Sequence, residues 1–274
     1  MYDLLIIGGG PAGLSAAMTA RNRNLTVCVI CGGAADSALY KAGHVTNYPG
    51  VPDVSGPALL ETMTQQARDL GADFLRERAL SAMPMGKTFG VSAGKEFVEG
   101  RALLLATGIA QRGTFPGEAE FLGRGVSYCA TCDGMLYRGK PVAVVGYTDT
   151  ARQEAEFLQK IGCSVTYFDR PKQCEIRGDG RVESVTCDGR TIPAEGVFIL
   201  RPTMAPTELF PGLAVEQGYV TVDRRMATNL PGLFAAGDCT GGPLQVSKAA
   251  GDGLIAGQSA AAWAAAQERR EKQS

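Results

Sequence analysis

Cys129-Ala130-Thr131-Cys132-Asp133-Gly134 places two thiols at C-x-x-C spacing with a carboxylate immediately after them. Two sulfurs so spaced can close a small disulfide ring, and the arrangement lowers a thiol pKa toward neutrality, where the thiolate is a working nucleophile. A zinc site would need a second C-x-x-C or a histidine pair. His44 is the sole histidine, and among the other six cysteines (Cys28, Cys31, Cys163, Cys174, Cys187, Cys239) only Cys28 and Cys31 form a further close pair. That pair falls in an apolar strand pattern, where alternation does not bring two sulfurs onto one metal. The reading is a redox-active dithiol and no metal site.

A second chemistry lies at the N-terminus. Gly8-Gly9-Gly10-Pro11-Ala12-Gly13 follows the apolar run Leu4–Ile7 and opens a helix pattern from Leu14 to Arg23, with a β-rich run, Thr26–Ile30, beyond. Gly-x-Gly-x-x-Gly between a strand and a helix suits a dinucleotide. The glycines permit a tight turn, close approach of the pyrophosphate and helix–sheet packing, while the helix N-terminus favours phosphate charge. An acidic ribose ligand should end the second strand, about 20 residues on; Cys31-Gly32-Gly33 stands there instead, and Asp36, slightly late, could substitute. Gly237-Asp238 closes another strand pattern, Leu233–Ala236, just before Gln245 and the Ala-rich helix pattern Val246–Glu271. An aspartate there can accept from sugar or ribitol hydroxyls or cap the final helix; the residues alone leave both open.

The elements that must position these groups alternate between strand and helix. A helix signal spans Gly56–Leu70, and Arg101–Ala106 reads as a buried strand ending at Thr107-Gly108. A second βαβ start appears at Val142–Val145, followed by Gly146, a helix pattern through Lys160 and a strand at Ser164–Phe168; Val197–Leu200 is a further strand. Two βαβ starts imply two nucleotide-type lobes, an α/β fold of parallel sheets with helices. The second lobe is inserted, because the segment from Gly232 to Ala262 completes the first. The crossings are placed near Arg112 and Tyr219–Asp223, giving lobes 1–113 with 222–274, and 114–221.

Composition narrows the classes. With 27 Lys plus Arg against 28 Asp plus Glu, nothing favours nucleic acid or an anionic membrane as main partner. No run approaches the ~18 apolar residues of a membrane-spanning helix. A strand within four residues of Met1 leaves no room for a signal peptide, so the chain is expected in the cytoplasm. Eight cysteines without an export signal imply a reducing compartment, where a C-x-x-C is catalytic rather than structural.

GGGPAG, LLATG, CATCDG and GLFAAGDC, in that order and spacing, resemble the low-molecular-weight thioredoxin reductase family of flavoproteins over nearly the whole chain. The resemblance implies FAD on the outer lobe and a homodimer. Gly8, Gly10, Ala12, Gly13, Asn47, Gly108, Asp238 and Gln245 stand at matching cofactor positions, with Pro11, Thr107, Gly237 and Val246 beside them. Asn47-Tyr48-Pro49-Gly50 resembles the family's loop beside the flavin ring; the loop before it departs, with Asp36-Ser37-Ala38 where the family has Gly-Gly-Gln. Cys132 matches the sulfur facing the flavin, Cys129 its partner, and Asp133 the acid that protonates a departing thiolate. The bland alternative for Asp133 is an Asp-Gly turn.

The inserted lobe departs from a pyridine-nucleotide site in four ways. In Gly146-Tyr147-Thr148-Asp149-Thr150-Ala151 the middle glycine is Thr148, and Asp149 adds negative charge where an anion should bind. Asp169-Arg170-Pro171-Lys172 replaces the family's paired arginines, a poor clamp for a phosphate dianion. From Arg170 to Gly196 the chain reads as Gly-Asp-Gly turns and short strands without space for a crossover helix. Val197–Leu200 runs into Arg201-Pro202-Thr203 where the family has a glycine-rich turn. This pattern resembles the truncated, ferredoxin-dependent flavin thioredoxin reductases. FAD suits such a donor because it exchanges one or two electrons. The resemblance therefore implies reduction of thioredoxin with electrons from reduced ferredoxin. An NADPH-dependent reductase with an eroded site and a flavin dithiol oxidase using oxygen are the competing readings. Arg124, Arg138, Lys140, Arg170 and Lys172 are candidates for a basic ferredoxin patch, or ordinary solvated surface.

Overall fold

The structure is a computed structural model, and it describes residues 1–108, 115–127, 130–148, 151–201 and 206–271. The chain runs β1 (Tyr2–Ile7), α1 (Pro11–Arg21), β2 (Val27–Ile30), α2 (Gly56–Asp69), β3 (Asp73–Leu75), β4 (Ala79–Met85), β5 (Thr88–Ala93) and β6 (Glu96–Leu105). It continues through β7 (Val126–Ser127), the short helix α3 (Ala130–Asp133), β8 (Pro141–Gly146), α4 (Ala151–Lys160) and β9 (Ser164–Asp169). A meander β10 (Cys174–Gly178), β11 (Val182–Cys187) and β12 (Arg190–Pro193) leads to β13 (Gly196–Leu200). The end of the chain holds α5 (Pro206–Leu209), β14 (Val215–Glu216), β15 (Tyr219–Val220), β16 (Leu233–Ala235) and α6 (Val246–Glu271).

Two compact units result, Met1–Ala110 with Thr203–Ser274, and Gln111–Pro202. The first is built on a sheet in the order β3-β2-β1-β6-β5-β4, with β16 also on β6. β3, β2, β1, β6 and β16 are parallel, and the first half of β6 forms an antiparallel meander with β5 and β4. Alternation decides which way each side chain goes. Leu4, Ile6, Ala102 and Leu104 pack toward α1, α2 and α6; Leu5, Ile7, Leu103 and Leu105 pack on the opposite face with Val91 and Phe210. Ser55 caps α2, accepting from Ala58 N at 3.3 Å, and Pro57 occupies the first turn.

In the second unit the parallel sheet is ordered β7-β13-β8-β9. α4 covers one face through Ala151, Ala155 and Leu158 against Val142, Val144, Phe198 and Leu200. The β10–β11–β12 sheet covers the other, with Ile176, Val182 and Val185 against Ala143, Val145, Val197 and Ile199. A three-stranded sheet therefore occupies the layer where a crossover helix would otherwise lie.

The second crossing differs from its sequence expectation at Tyr219–Asp223, and falls at 202/203. Leu209, Phe210, Leu213 and Val220 are buried in the core that holds Leu5 and Leu103, and the Phe210 ring lies 5.9 Å from that of Phe89. Burial of these apolar groups assigns 206–221 to the first unit. Arg112, where the first crossing was expected, lies outside the described residues. Among the described residues no helix is long and apolar enough to cross a membrane, and no cluster of three or more His, Cys, Asp or Glu could hold a metal ion.

Candidate functional site

In the first unit, register brings the glycine motif and the Gly-Asp turn to one edge. Ile7 is paired with both Ile30 and Leu105, and Leu105 with Ala235. Gly8, Ala106-Thr107 and Ala236-Gly237 therefore leave the carboxyl ends of adjacent parallel strands, the place where open α/β sheets bind ligands. Gly8 has φ +119°, and a Cβ there would lie 2.1 Å from Ala106 O. A Cβ on Gly13 would lie 2.0 Å from Gly8 O. Both positions exclude any other residue, which keeps the turn tight and its backbone open to a phosphate. Gly10 caps α1 without a side-chain hydrogen bond, and the first turn of α1 holds no acid. Its N–H groups are thus offered to an anion. A carboxylate reaches the end of β2 as well: Asp36 Oδ2 lies 2.4 Å from where a Gly32 Cβ would be.

Asp238 sits in a turn, Gly237–Thr240, held by residues that the sequence reading did not single out. Lys248 Nζ donates to Gly237 O at 2.8 Å, Gly241 O at 2.8 Å and Thr240 Oγ1 at 2.9 Å. It also pairs with Asp252 Oδ2 at 2.9 Å, one helical turn further along α6, and Asp252 Oδ2 accepts from Gly237 N at 3.1 Å. The i, i+4 spacing of Lys248 and Asp252 just after the Gly-Asp turn is the signal that could have found them. Asp238 Oδ1 is buried and has no hydrogen-bond partner among the described residues. Burial pushes its carboxyl above the ordinary range, against the pull of Lys248 and with a further push from Asp252. A buried acceptor left open is costly unless a donor arrives, and a polyol hydroxyl supplies one. The cradle thus fits the pyrophosphate and ribityl chain of FAD. Asn47, exposed, meets the start of α6, where Ser247 Oγ donates to Asn47 O at 3.5 Å; Gln245 and Val246 lead into the same turn.

The dithiol belongs to the second unit. β7 delivers Ser127, and α3 follows with Ala130 fully buried. Cys129 lies outside the described residues, and of Cys132 only the backbone, inside α3, is described. Asp133 is half-buried, and its Oδ2 accepts from Ser127 Oγ at 2.7 Å. That contact ties the carboxylate to a residue six positions earlier in the chain. Below the turn, Cys163 Sγ donates to Tyr137 O at 3.2 Å. Met135 and Leu136, immediately after the motif in the chain, are 59% and 70% exposed.

At the carboxyl ends of β8 and β13, adjacent parallel strands, several described side chains pack on one another. Tyr147 N donates to Leu200 O at 2.9 Å, and its hydroxyl donates to Pro171 O at 2.7 Å. Its ring stacks on Phe115 with centroids 6.4 Å apart and planes 27° apart. Arg201 lies over the other ring, 5.1 Å from the Phe115 centroid, and grips Glu118 through both guanidinium nitrogens, Nη2 to Oε2 at 2.8 Å. Glu118, only 2% exposed, also accepts from Phe115 N at 2.9 Å. Thr148 is buried, and Asp149 lies outside the described residues. The Tyr167 hydroxyl closes over Gly146, 2.4 Å from where a Cβ would stand.

Known proteins resemble this chain in sequence and in fold. Residues 2–174 and 170–253 match the model of the pyridine nucleotide-disulphide oxidoreductase family. A thioredoxin reductase of Listeria innocua is 36% identical across 95% of this chain and 93% of its own length. Among solved structures, a ferredoxin-flavin thioredoxin reductase from Clostridium acetobutylicum superimposes with a TM-score of 0.89 at 36% identity, covering 97% of this chain and 98% of that one. A thioredoxin reductase from Gloeobacter violaceus gives a TM-score of 0.83 at 33% identity, covering 97% of this chain and 95% of that one.

Proposed function

The chain belongs to the pyridine nucleotide-disulphide oxidoreductase family and is a thioredoxin reductase-type flavin enzyme that uses FAD, and from that premise we propose that its electrons come from reduced ferredoxin rather than from NADPH. One observation supports the donor: the crevice at the ends of β8 and β13 is filled by Phe115, Tyr147, Arg201 and Glu118. A dinucleotide would have to displace a stacked aromatic pair and break a buried, bidentate ion pair. Removing one partner of such a pair is strongly unfavourable, because the other charge is left buried and alone. Arg201, which would otherwise attract a phosphate, is already committed to Glu118. The likeness to a ferredoxin-flavin enzyme points the same way.

FAD supplies an acceptor that takes electrons singly and delivers them in pairs to a disulfide. The chain's residues do the rest. Gly8, Gly10, Pro11, Ala12 and Gly13 hold the pyrophosphate at the α1 N-terminus, and Asp238, positioned by Lys248, takes a ribityl hydroxyl. Asn47, Thr107, Gly108, Gly237, Gln245 and Val246 complete the lining. In this proposal Cys132 is the flavin-facing sulfur and Cys129 its disulfide partner. Asp133, held by Ser127, protonates the thiolate that departs when the pair is reduced. Thioredoxin approaches over Met135 and Leu136. The enzyme works in the cytoplasm as a homodimer, and a monomer by light scattering would remove the dimer from the proposal.

The donor is tested by adding NADPH anaerobically, then photoreduced ferredoxin, while flavin absorbance is followed. NADPH is expected to leave the flavin oxidised. Ferredoxin is expected to bleach it and support thioredoxin reduction in a salt-sensitive way, since a charged protein pair is screened. Saturable turnover at micromolar NADPH would overturn the proposal, and rapid peroxide formation from dithiols in air would make the enzyme an oxidase instead.

A further inference from the structure

The three-stranded sheet of the second unit holds two cysteines for which the activity has no use. Cys174 opens β10 and Cys187 closes β11, and the antiparallel register sets them directly opposite. Asp188 N donates to Gln173 O at 2.9 Å, so the hydrogen-bonded pair lies one step further out. Cys174 and Cys187 are then a non-hydrogen-bonded pair, the kind whose side chains approach most closely. Their Cα atoms are 4.2 Å apart and their sulfurs are bonded, closing a loop with a sequence separation of 13. The Asp188 carboxylate reinforces the same end of the sheet, accepting from Lys172 N at 3.0 Å and Gln173 N at 2.9 Å. Both cysteines are buried, 5% and 2% exposed, in the core with Phe168, Ile176 and Val185.

β10 also supports the segment that plugs the crevice. Ile176 N donates to Pro116 O at 2.8 Å. Phe115 and Glu118 flank that contact, and they are the residues that stack on Tyr147 and grip Arg201. The covalent link is therefore one strand position from Glu175 and two from the residue that seats the plug.

We propose that Cys174–Cys187 is a second, non-catalytic disulfide that pins β10 to β11 and thereby seats residues 115–118, and that it stays oxidised while the C-x-x-C pair is cycled. The last clause rests on the dithiol chemistry proposed above; the structural role does not. Exchange requires a thiolate to reach a sulfur, and the closed sheet denies that approach. The bond forms by exchange with the disulfide of an oxidised dithiol protein before the sheet has closed over the sulfurs. One cysteine thiolate attacks that disulfide and expels a thiolate, which takes up a proton. The second cysteine then displaces the other sulfur, so that two electrons leave the pair and the oxidant departs as a dithiol.

Peptide mapping and melting test this on the full-length flavoenzyme. Trypsin cuts after Lys172, Arg177, Arg181 and Arg190, leaving Cys174 in peptide 173–177 and Cys187 in peptide 182–190. Protein purified without reductant, denatured and alkylated, is expected to yield the two peptides joined, both before and after turnover with ferredoxin and thioredoxin. In Cys174→Ala/Cys187→Ala, Tm is expected to fall by about 5–10 °C. Hydrogen exchange at Ile176 N is expected to quicken, with thioredoxin turnover kept within about twofold. Separately alkylated peptides from unreduced protein would overturn the disulfide. Linked peptides that come apart during turnover would overturn its persistence. An unchanged Tm would overturn the structural role, whether or not the proposed donor proves correct.

Discussion

Cys132→Ser is expected to stop thioredoxin reduction, lowering turnover roughly a thousandfold or more, as removal of a covalent participant does. The flavin should still be bleached by its donor, because the donor side of the reaction needs neither cysteine. The assignment is the one the family resemblance implies, with Cys132 the flavin-facing sulfur and Cys129 its partner. Cys132 shares α3 with Asp133, whose carboxylate is anchored on Ser127 Oγ at 2.7 Å. In the proposed role that acid protonates the thiolate released when the disulfide is reduced. Cys129→Ser separates the roles. With no partner to form a disulfide, the Cys132 thiolate should remain free beside oxidised flavin and produce a long-wavelength absorbance band. A band in Cys132→Ser and none in Cys129→Ser would reverse the two roles, and full turnover in either variant would remove the dithiol from the mechanism.

Asp238→Ala should weaken FAD binding by about 10–150-fold, the equivalent of the 1.5–3 kcal/mol typical of a hydrogen bond to a charged group. Lys248 and Asp252 would still hold the turn, since their bonds go to Gly237, Gly241 and Thr240 and not to the Asp238 carboxylate. A second variant isolates the cost of burying that carboxylate. Its folded pKa lies above the unfolded value of 3.8, chiefly through burial. The folded apoprotein therefore keeps the proton to higher pH than the unfolded chain does. Stability falls as pH rises from the unfolded pKa through the folded one, and stays reduced above it. Asp238→Asn removes that loss, so the apo variant should melt above apo wild type at pH 7, and the two should converge below about pH 4. With FAD bound the order should reverse, because the wild-type carboxylate then has its donor. A variant purified with full flavin content, or an apo variant that melts lower at pH 7, would count against Asp238 as the hydroxyl acceptor.

Much of the first unit was legible in the chain because its constraints are local. Gly8 and Gly13 are dictated by a turn that admits no Cβ, and the flanking apolar runs alternate or repeat at the period of the element they form. Asp238 was legible as a candidate but not as a role, since capping and hydroxyl binding look alike in sequence. Only the three-dimensional environment shows an acceptor atom that is buried and open. β4 and β5 were not read as strands. Ala-Leu-Ser-Ala-Met-Pro-Met and Thr-Phe-Gly-Val-Ser-Ala hold few β-branched residues, and they become strands by pairing with the first half of β6.

The sequence by itself determined the C-x-x-C spacing, the glycine turn between a strand and a helix, the two βαβ starts and the threonine at 148 in place of a glycine. Each is written in neighbouring residues whose chemistry or backbone demands are met within a few positions. Tertiary structure alone decided where 206–221 belongs, because Leu209 and Phe210 could be assigned only by the core that buries them. It alone joined Arg201 to Glu118, 83 residues apart. It alone paired Cys174 with Cys187, because sheet register rather than sequence spacing sets two strand residues face to face, and register is fixed only when both strands bury the same side against a common core.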